Sequence, residues 1–242
     1  MSEPAPHVEV QPAATVMLVR DASTRRGGSL EVLMLRRHPE AVFAADAWVF
    51  PGGRVDEADS VTPIGAGPSD AEASAALGLP SGGRAYWVAA ARECFEEAGI
   101  LLARHAESGE WLDSSSEWST ARLIRHRREI HSGATTLAAF LEAEGLQLDL
   151  SGVRYVSHWI TPKHRGTARR FDTRFFVAEV PPNQAVSHDD AETVESIWTT
   201  PADALARGRS GEITLLIPTI ANLETLAQCS SMAEIVEFVC PT

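Results

Sequence analysis

Residues 92–99 read Arg-Glu-Cys-Phe-Glu-Glu-Ala-Gly. Glu93, Glu96 and Glu97 stand at i, i+3 and i+4, a spacing that puts all three carboxylates on one face of a helix. Carboxylates this close repel one another, and within the segment only Arg92 offsets them. A hard divalent cation would do so directly, since magnesium takes carboxylate oxygens and keeps its other positions for water or phosphate oxygens. The plain alternative is an acidic helix face turned to water. Upstream, "WVFPGGRVDEAD" (48–59) carries a bulky apolar strand into Pro51 and the pair Gly52-Gly53. Two glycines behind a strand mark a backbone that turns sharply or approaches a ligand closely. The glycine turn and the acidic face are expected to be two halves of one site.

These groups need elements to hold them. The segment 84–104 is rich in Ala and Glu, sets Trp87, Ala90, Cys94 and Ala98 along one apolar side and has Gly99 as its stop signal, so it predicts a helix. Apolar runs at 13–20 and 30–37, separated by turn residues, predict a hairpin. Residues 153–162 and 169–181 predict a strand pair, and 193–200 a further strand. A helix starting at Pro201 and closing helices after residue 214 follow. Residues 117–131 and 135–144 predict two more helices, with "RHRRE" and "EAE" on their exposed sides. The Gly-, Ala-, Ser- and Pro-rich stretch 60–83 reads as a loop with one short helix, and the Pro-rich residues 1–12 as a frayed, disordered tail. Intermixed strands and helices imply an α/β sandwich around a mixed sheet, with one domain over 13–242 and a helical insertion at 105–150.

Composition narrows the function. With 44% hydrophobic and 22% charged residues, a chain of 242 residues can build a sizeable core. Its formal net charge of −12 disfavours general attraction to nucleic acid or to an anionic membrane. An anionic substrate therefore needs a bound cation or a local basic patch. Lys163, Arg165, Arg169, Arg170 and Arg174 supply one candidate patch. It reads either as an anion site or as a solvated loop with strand residues paired to Asp172. The three cysteines, Cys94, Cys229 and Cys240, are far apart and form no CxxC pair, which points to a reducing compartment and a cytoplasmic location. The N-terminus lacks the basic flank and apolar core of a signal peptide, and no apolar run reaches membrane-spanning length. The expected partner is a small molecule; a homodimer is left open.

Gly53 together with Arg92–Ile100 resembles the Nudix box, G-x5-E-x7-R-E-U-x-E-E-x-G-U. There are two departures. Asp59 stands where the pattern has its first Glu, and Arg92 follows Gly53 by 39 positions where the pattern has 14, so 25 residues are inserted between turn and helix. Lengthening a connection costs on the order of 1 kcal/mol in closure entropy, and the helix pattern is intact. A box split in this way resembles the branch of animal peroxisomal coenzyme A diphosphatases and their bacterial relatives. "HWITPKHRGTARRFDTRFF" (158–176) is similar to that branch's strand–loop–strand signature, and the resemblance extends over residues 13 to 239. A separate coenzyme A signature before the glycine turn is only partly matched: Arg37 fits, while His38, Val42 and Asp46 replace its Ser, Arg and Gly.

The resemblance implies an α/β/α sandwich and a hydrolase that uses Mg2+ or Mn2+ to cleave a nucleoside diphosphate linked to another group. Coenzyme A or acyl-CoA is the first substrate expected; ADP-ribose, NADH or dinucleotide polyphosphates are the alternatives, and a Nudix-like module that binds a nucleotide without cleaving it is the non-enzymatic one. It implies Glu93 and Glu97 as main metal ligands, Glu96 as third ligand or base, the Gly53 carbonyl on the same cation, and Arg92 orienting a neighbouring carboxylate. Glu192 reads either as a general base outside the box or as an exposed loop acid. Arg37, Lys163, Arg165, Arg169 and Arg170 are the substrate-binding candidates.

Overall fold

Strand β1 (Val10–Asp21) is apolar at most positions from Ala13 to Val19, the pattern of a strand covered on both faces. In the computed structural model, which describes residues 9–22, 30–41, 44–115, 117–163, 169–187 and 192–239, Ala14, Val16 and Leu18 face one core and Met17 and Val19 the other. The expected hairpin forms: β2 (Leu30–Arg37) returns antiparallel, with Val19 opposite Val32. Next come β3 (Ala47–Val49), paired with β2, and β4 (Gly52–Arg54), paired with the first half of β1 so that Gly53 lies opposite Ala14. The tail expected over 1–12 does not extend through residue 12. Val10, Gln11 and Pro12 belong to β1 because they pair with residues 170–172; residues 1–8 lie outside the described residues.

The stretch expected as a loop with one short helix holds that helix and more. After α1 (Glu57–Val61), which runs into it, come β5 (Ile64–Ala66) and α2 (Asp70–Leu77). A capping box starts α2: the Ser69 hydroxyl accepts from the Glu72 N–H, and the Glu72 carboxylate accepts from the Ser69 N–H. Ala73 and Leu77 enter the same core as α3 (Arg84–Ala98). The Asp70 carboxylate accepts from the N–H groups of Gly82 and Arg84 at 3.0 and 3.1 Å. It thereby supplies the cap that Gly83, with no side chain, cannot give to α3. The sequence hides this because Ala, Ser and Gly carry no large apolar period.

Helix α3 ends at Ala98, earlier than the expected 104. Gly99 takes φ 71° and donates its N–H to the Phe95 carbonyl, after which the chain enters β6 (Ala103–His105). The helices α4 (Glu117–His131) and α5 (Leu137–Ala143) match the expectation. The stretch 105–150 also carries β7 (Leu146–Asp149), which joins β5 and β6 in a small second sheet of order β5-β7-β6. A strand pair comes next as expected, β8 (Arg154–Ile160) antiparallel to β9 (Arg170–Glu179), and β9 runs parallel to β1. Then β10 (Thr193–Thr199) pairs with β2. On the opposite face α6 (Pro201–Arg209), β11 (Thr214–Leu215), α7 (Ile217–Leu226) and α8 (Met232–Val239) close the second core with Leu205, Leu223, Leu226 and Ile235. The main sheet runs β11-β3-β2-β1-β9-β8 among the described residues, with β4 also on β1 and β10 also on β2. This is the expected α/β/α sandwich around a mixed sheet. Among the described residues no helix is long and apolar enough to cross a membrane.

The two strands of the hairpin do not stay together along their length. Among the described residues β1 meets β2 at residues 19–21, while β4 takes β1 at 13–15 and β10 runs along β2 as far as Arg37. The sheet therefore divides, and α3 lies over β1 and β4 on one side of the division. Because Leu77 is 6% exposed and packs into the α3 core, Leu77→Ala is expected to cost about 2–5 kcal/mol in urea unfolding; an unpacked loop residue would show no change.

Candidate active site

Arg92 organises the start of the site. It is 8% exposed. Its Nε and Nη2 donate to the two Asp59 carboxylate oxygens at 2.9 and 3.0 Å, and Nη2 also donates to the Arg54 carbonyl at 2.7 Å. Its Nη1 donates to Glu93 and to Glu96, each at 2.9 Å. Burial works against the Arg92 charge, but Asp59 and the two glutamates outweigh it and hold the guanidinium protonated. The substitution of Asp for the first Glu of the box is thus accommodated. Asp59 is 1% exposed, accepts from the Asp56 N–H at 2.8 Å, and sits on α1, which packs against α3. Asp59 is a partner of Arg92 rather than a group facing a substrate.

Glu93 and Glu97 meet the glycine turn. The Glu97 Oε2 accepts from the Gly52 N–H at 3.0 Å. Glu93 lies so close to Gly53 that a Cβ there would stand 2.4 Å from its Oε1; this is why the turn carries no side chain. Burial pushes Glu93 up to about 7, with the Glu96 charge adding to the shift and Arg92 opposing it. Glu97 is raised well above the usual carboxylate range, first by burial and then by Glu93, against the Gly52 N–H and Arg37. Two buried, mutually repelling carboxylates beside a bare backbone turn fit a divalent cation, which takes oxygen donors and would stabilise both in the ionised form.

Glu96 stands apart from that pair. Its Oε1 is on Arg92 and its Oε2 lies 3.5 Å from His131 Nδ1. Among the described residues no three His, Cys, Asp or Glu side chains already converge as a cation cage. The three-carboxylate face therefore resolves into the Glu93–Glu97 pair at the turn, with Glu96 directed toward α4. The plain alternative of a solvated acidic face fails, since Glu96 and Glu97 are 8% and 4% exposed.

The division of the sheet brings in two more residues. Pairing of β10 with β2 sets Thr193 opposite Arg37, and the His38 N–H donates to the Glu192 carbonyl at 2.8 Å. The Glu192 carboxylate lies 3.6 Å from Arg37 Nη2 and is half-exposed. Both charges act on Glu97, Arg37 lowering and Glu192 raising its pKa, so Arg37 and Glu192 border the site. The basic stretch is more distant. Lys163 and Arg169 are exposed, while Arg170 donates from Nε to the Thr161 carbonyl at 3.0 Å. Arg170 pairs with Val10 on β1, four residues from the Ala14 that faces Gly53, about 13 Å along the strand. Arg165 and Val42 lie outside the described residues. Arg174 is buried with Nε 3.6 Å from Asp172, so for this residue the reading as a partner of Asp172 holds. Asp46 pairs with Arg36 at 2.8 Å.

Arg127 corrects the expectation that "RHRRE" lies on an exposed side. His126 and Arg127 are buried. Leu123 and Ile130 are apolar at spacings of four and three from Arg127, and that period is the signal that turns Arg127 inward.

The raised carboxyls make a pH prediction for the cation-free protein. Folded Glu93 holds its proton up to about 7, above the ordinary glutamate value of about 4.3. Between those values the folded state binds more protons than the unfolded one. The stability this contributes is complete below about 4.3 and is lost as pH rises through about 7; Glu97 acts in the same direction. Thermal melts in chelator are expected to fall across that window, and added Mg2+ or Mn2+ is expected to reverse the fall.

The family described as the NUDT19 Nudix domain matches residues 68–226. The chain is 31% identical to the acyl-coenzyme A diphosphatase NUDT19 of Gallus gallus, over 93% of this chain and 70% of that protein. It is 30% identical to the Homo sapiens protein of the same name, over 86% of this chain and 63% of that protein. A crystal structure of a NUDIX hydrolase from Alicyclobacillus acidocaldarius superposes with a TM-score of 0.76 at 30% identity, covering 98% of this chain and all of that one. The split box, the Arg92-centred carboxylates on the glycine turn and these matches agree: the chain belongs to the Nudix family, in the group described by the NUDT19 Nudix domain.

Proposed function

We propose that this chain hydrolyses the diphosphate of coenzyme A or an acyl-CoA, releasing 3′,5′-ADP and (acyl-)4′-phosphopantetheine, with Mg2+ or Mn2+ as cofactor. The observation that carries the reading is the buried Glu93–Glu97 pair against the Gly52-Gly53 turn, in a chain whose relatives are named acyl-coenzyme A diphosphatases. Glu93 and Glu97 would hold the cation, with the Gly53 carbonyl as a further oxygen donor. When bound, such a cation neutralises diphosphate charge and lowers the pKa of water.

The protein's own groups do the rest. Arg92 fixes the orientation of Glu93 and of Glu96 through its charge-assisted contacts. Glu192, half-exposed at the border of the site, is the base that accepts the proton of the attacking water. The water oxygen bonds to phosphorus, the bridging P–O bond breaks, and the electron pair leaves on the departing phosphate monoester. Arg37 lies where it can receive a phosphate oxygen. Lys163, Arg169 and Arg170 form a basic rim for the remote 3′-phosphate; Arg165, the further candidate, lies outside the described residues. Cys94 and Cys229 are free thiols, in keeping with our proposal of a reducing, cytoplasmic setting.

Purified protein with Mg2+ or Mn2+ is expected to turn over coenzyme A faster than NADH, ADP-ribose or diadenosine polyphosphates. Tight binding of one of these without turnover of any would identify a binding module instead. Glu97→Gln is expected to keep the fold by circular dichroism and to lose activity by about 100-fold or more, the equivalent of the several kcal/mol a cation contributes to the transition state.

A charge-assisted hydrogen bond to the 3′-phosphate is worth roughly 1.5–3 kcal/mol. The kcat/KM for 3′-dephospho-coenzyme A should therefore be lower by about tenfold or more. Arg169→Ala or Lys163→Ala should close most of that gap. Equal loss on every substrate would place these cations on the diphosphate instead.

A further inference from the structure

We propose that Arg127, on a helix outside the Nudix box, is a positioning residue that sets the metal-binding carboxylates by locking the last turn of α3. The inference rests on the reading of Glu93 and Glu97 as cation ligands.

Arg127 is 6% exposed and reaches from α4 to the end of α3. Its Nε donates to the Glu96 carbonyl at 2.5 Å, and its Nη1 donates to the Ser187 carbonyl at 2.7 Å and to the Ser187 hydroxyl at 3.0 Å. Ser187 completes the link by donating its N–H to the Ala98 carbonyl at 3.0 Å. The carbonyls of Glu96 and Ala98 are among those a helix leaves without internal partners at its C-terminus, where a cation is also favoured by the helix dipole. The fit around them is close: a Cβ on Gly99 would stand 2.7 Å from the Ser187 hydroxyl. Just beyond, Gln184 accepts from the Leu101 N–H and donates to the Leu101 carbonyl, both at 2.9 Å.

The end of α3 is therefore held at several points. Gly52 holds the Glu97 side chain, Arg92 holds the Glu96 side chain, and Arg127 with Ser187 holds the backbone between them. The first two contacts come from the box and the glycine turn that opens it. The third comes from α4 and from the segment that leads into Glu192. A buried guanidinium is an expensive way to fill space. Its planar fork gives what an apolar side chain would not, a fixed orientation for two chain segments at once. Since Glu97 hangs from the turn that Arg127 grips, release of that turn alters the distance between the carboxylates and the glycine turn without removing any ligand.

Arg127→Lys keeps the charge and loses the fork; Ser187→Ala removes one acceptor and leaves the carbonyl. Mn2+ binding to the substrate-free protein, read by electron paramagnetic resonance, is expected to weaken by about tenfold in Arg127→Lys, the usual effect of losing an outer-shell support. Its kcat is expected to fall by a similar factor with little change in KM, and Ser187→Ala should show the same split to a smaller degree. Mn2+ affinity and kcat within about twofold of wild type in both variants, outside the range of such supports, would overturn the proposal even if both melt earlier, because Arg127 would then only hold the fold. Should Arg127→Lys fail to fold, unchanged Mn2+ affinity in Ser187→Ala overturns it alone. Wild-type protein that binds no Mn2+ would overturn this inference together with the metal-ligand reading. Loss of the coenzyme A assignment leaves the Mn2+ result standing.

Discussion

The burial of like charges is the constraint on which the site depends. Glu93, Glu96 and Glu97 share one helix face and are all largely removed from water. Unpaired, such carboxylates are costly to ionise in a protein interior. Arg92 balances part of this. One guanidinium satisfies both oxygens of Asp59 and one oxygen each of Glu93 and Glu96. That leaves Glu97 and the remainder of Glu93 against the glycine turn with raised proton affinity. On the proposed reading, this imbalance is what a cation would relieve.

Much of the surrounding fold supports that arrangement. The inserted stretch does more than lengthen a connection. α1 carries Asp59 to Arg92, and α2 brings Asp70 to cap the first turn of α3. At the other end, α4 and residues 184–187 hold the last turn. Helix α3 is thus anchored at both termini, by the inserted stretch at one end and by α4 with residues 184–187 at the other. The pairing of β10 with β2 then brings Glu192 and Arg37 to the border.

The sequence determined the elements whose local signals are strong. The β1–β2 hairpin, the β8–β9 pair, α3, α4, α5 and the Pro-started α6 all follow from period, turn residues and caps. Spacing alone placed Glu93, Glu96 and Glu97 on one face, and the glycine pair marked their partner. The box supplied the pairing of a turn with a helix 39 residues away, which no period could show. Signals fail where residues are small or where burial is polar. Residues 60–83 have few large apolar side chains and no period among them, so β5 and most of the packing of α2 are illegible there. Arg127 sits in a cluster of charged residues, and such side chains ordinarily lie in water.

Only the tertiary structure decided how the three glutamates divide their work. Helical spacing gives them a common face but does not say what stands opposite each one. Glu97 meets the Gly52 N–H, Glu93 meets Gly53, and Glu96 meets Arg92 and His131. Apart from Arg92 on α3 itself, those partners come from β4 and α4, brought to the helix by sheet pairing and core packing between residues far apart in the chain. Local sequence encodes the direction in which a side chain points; the long-range contacts that buried these charges determine which group it meets there.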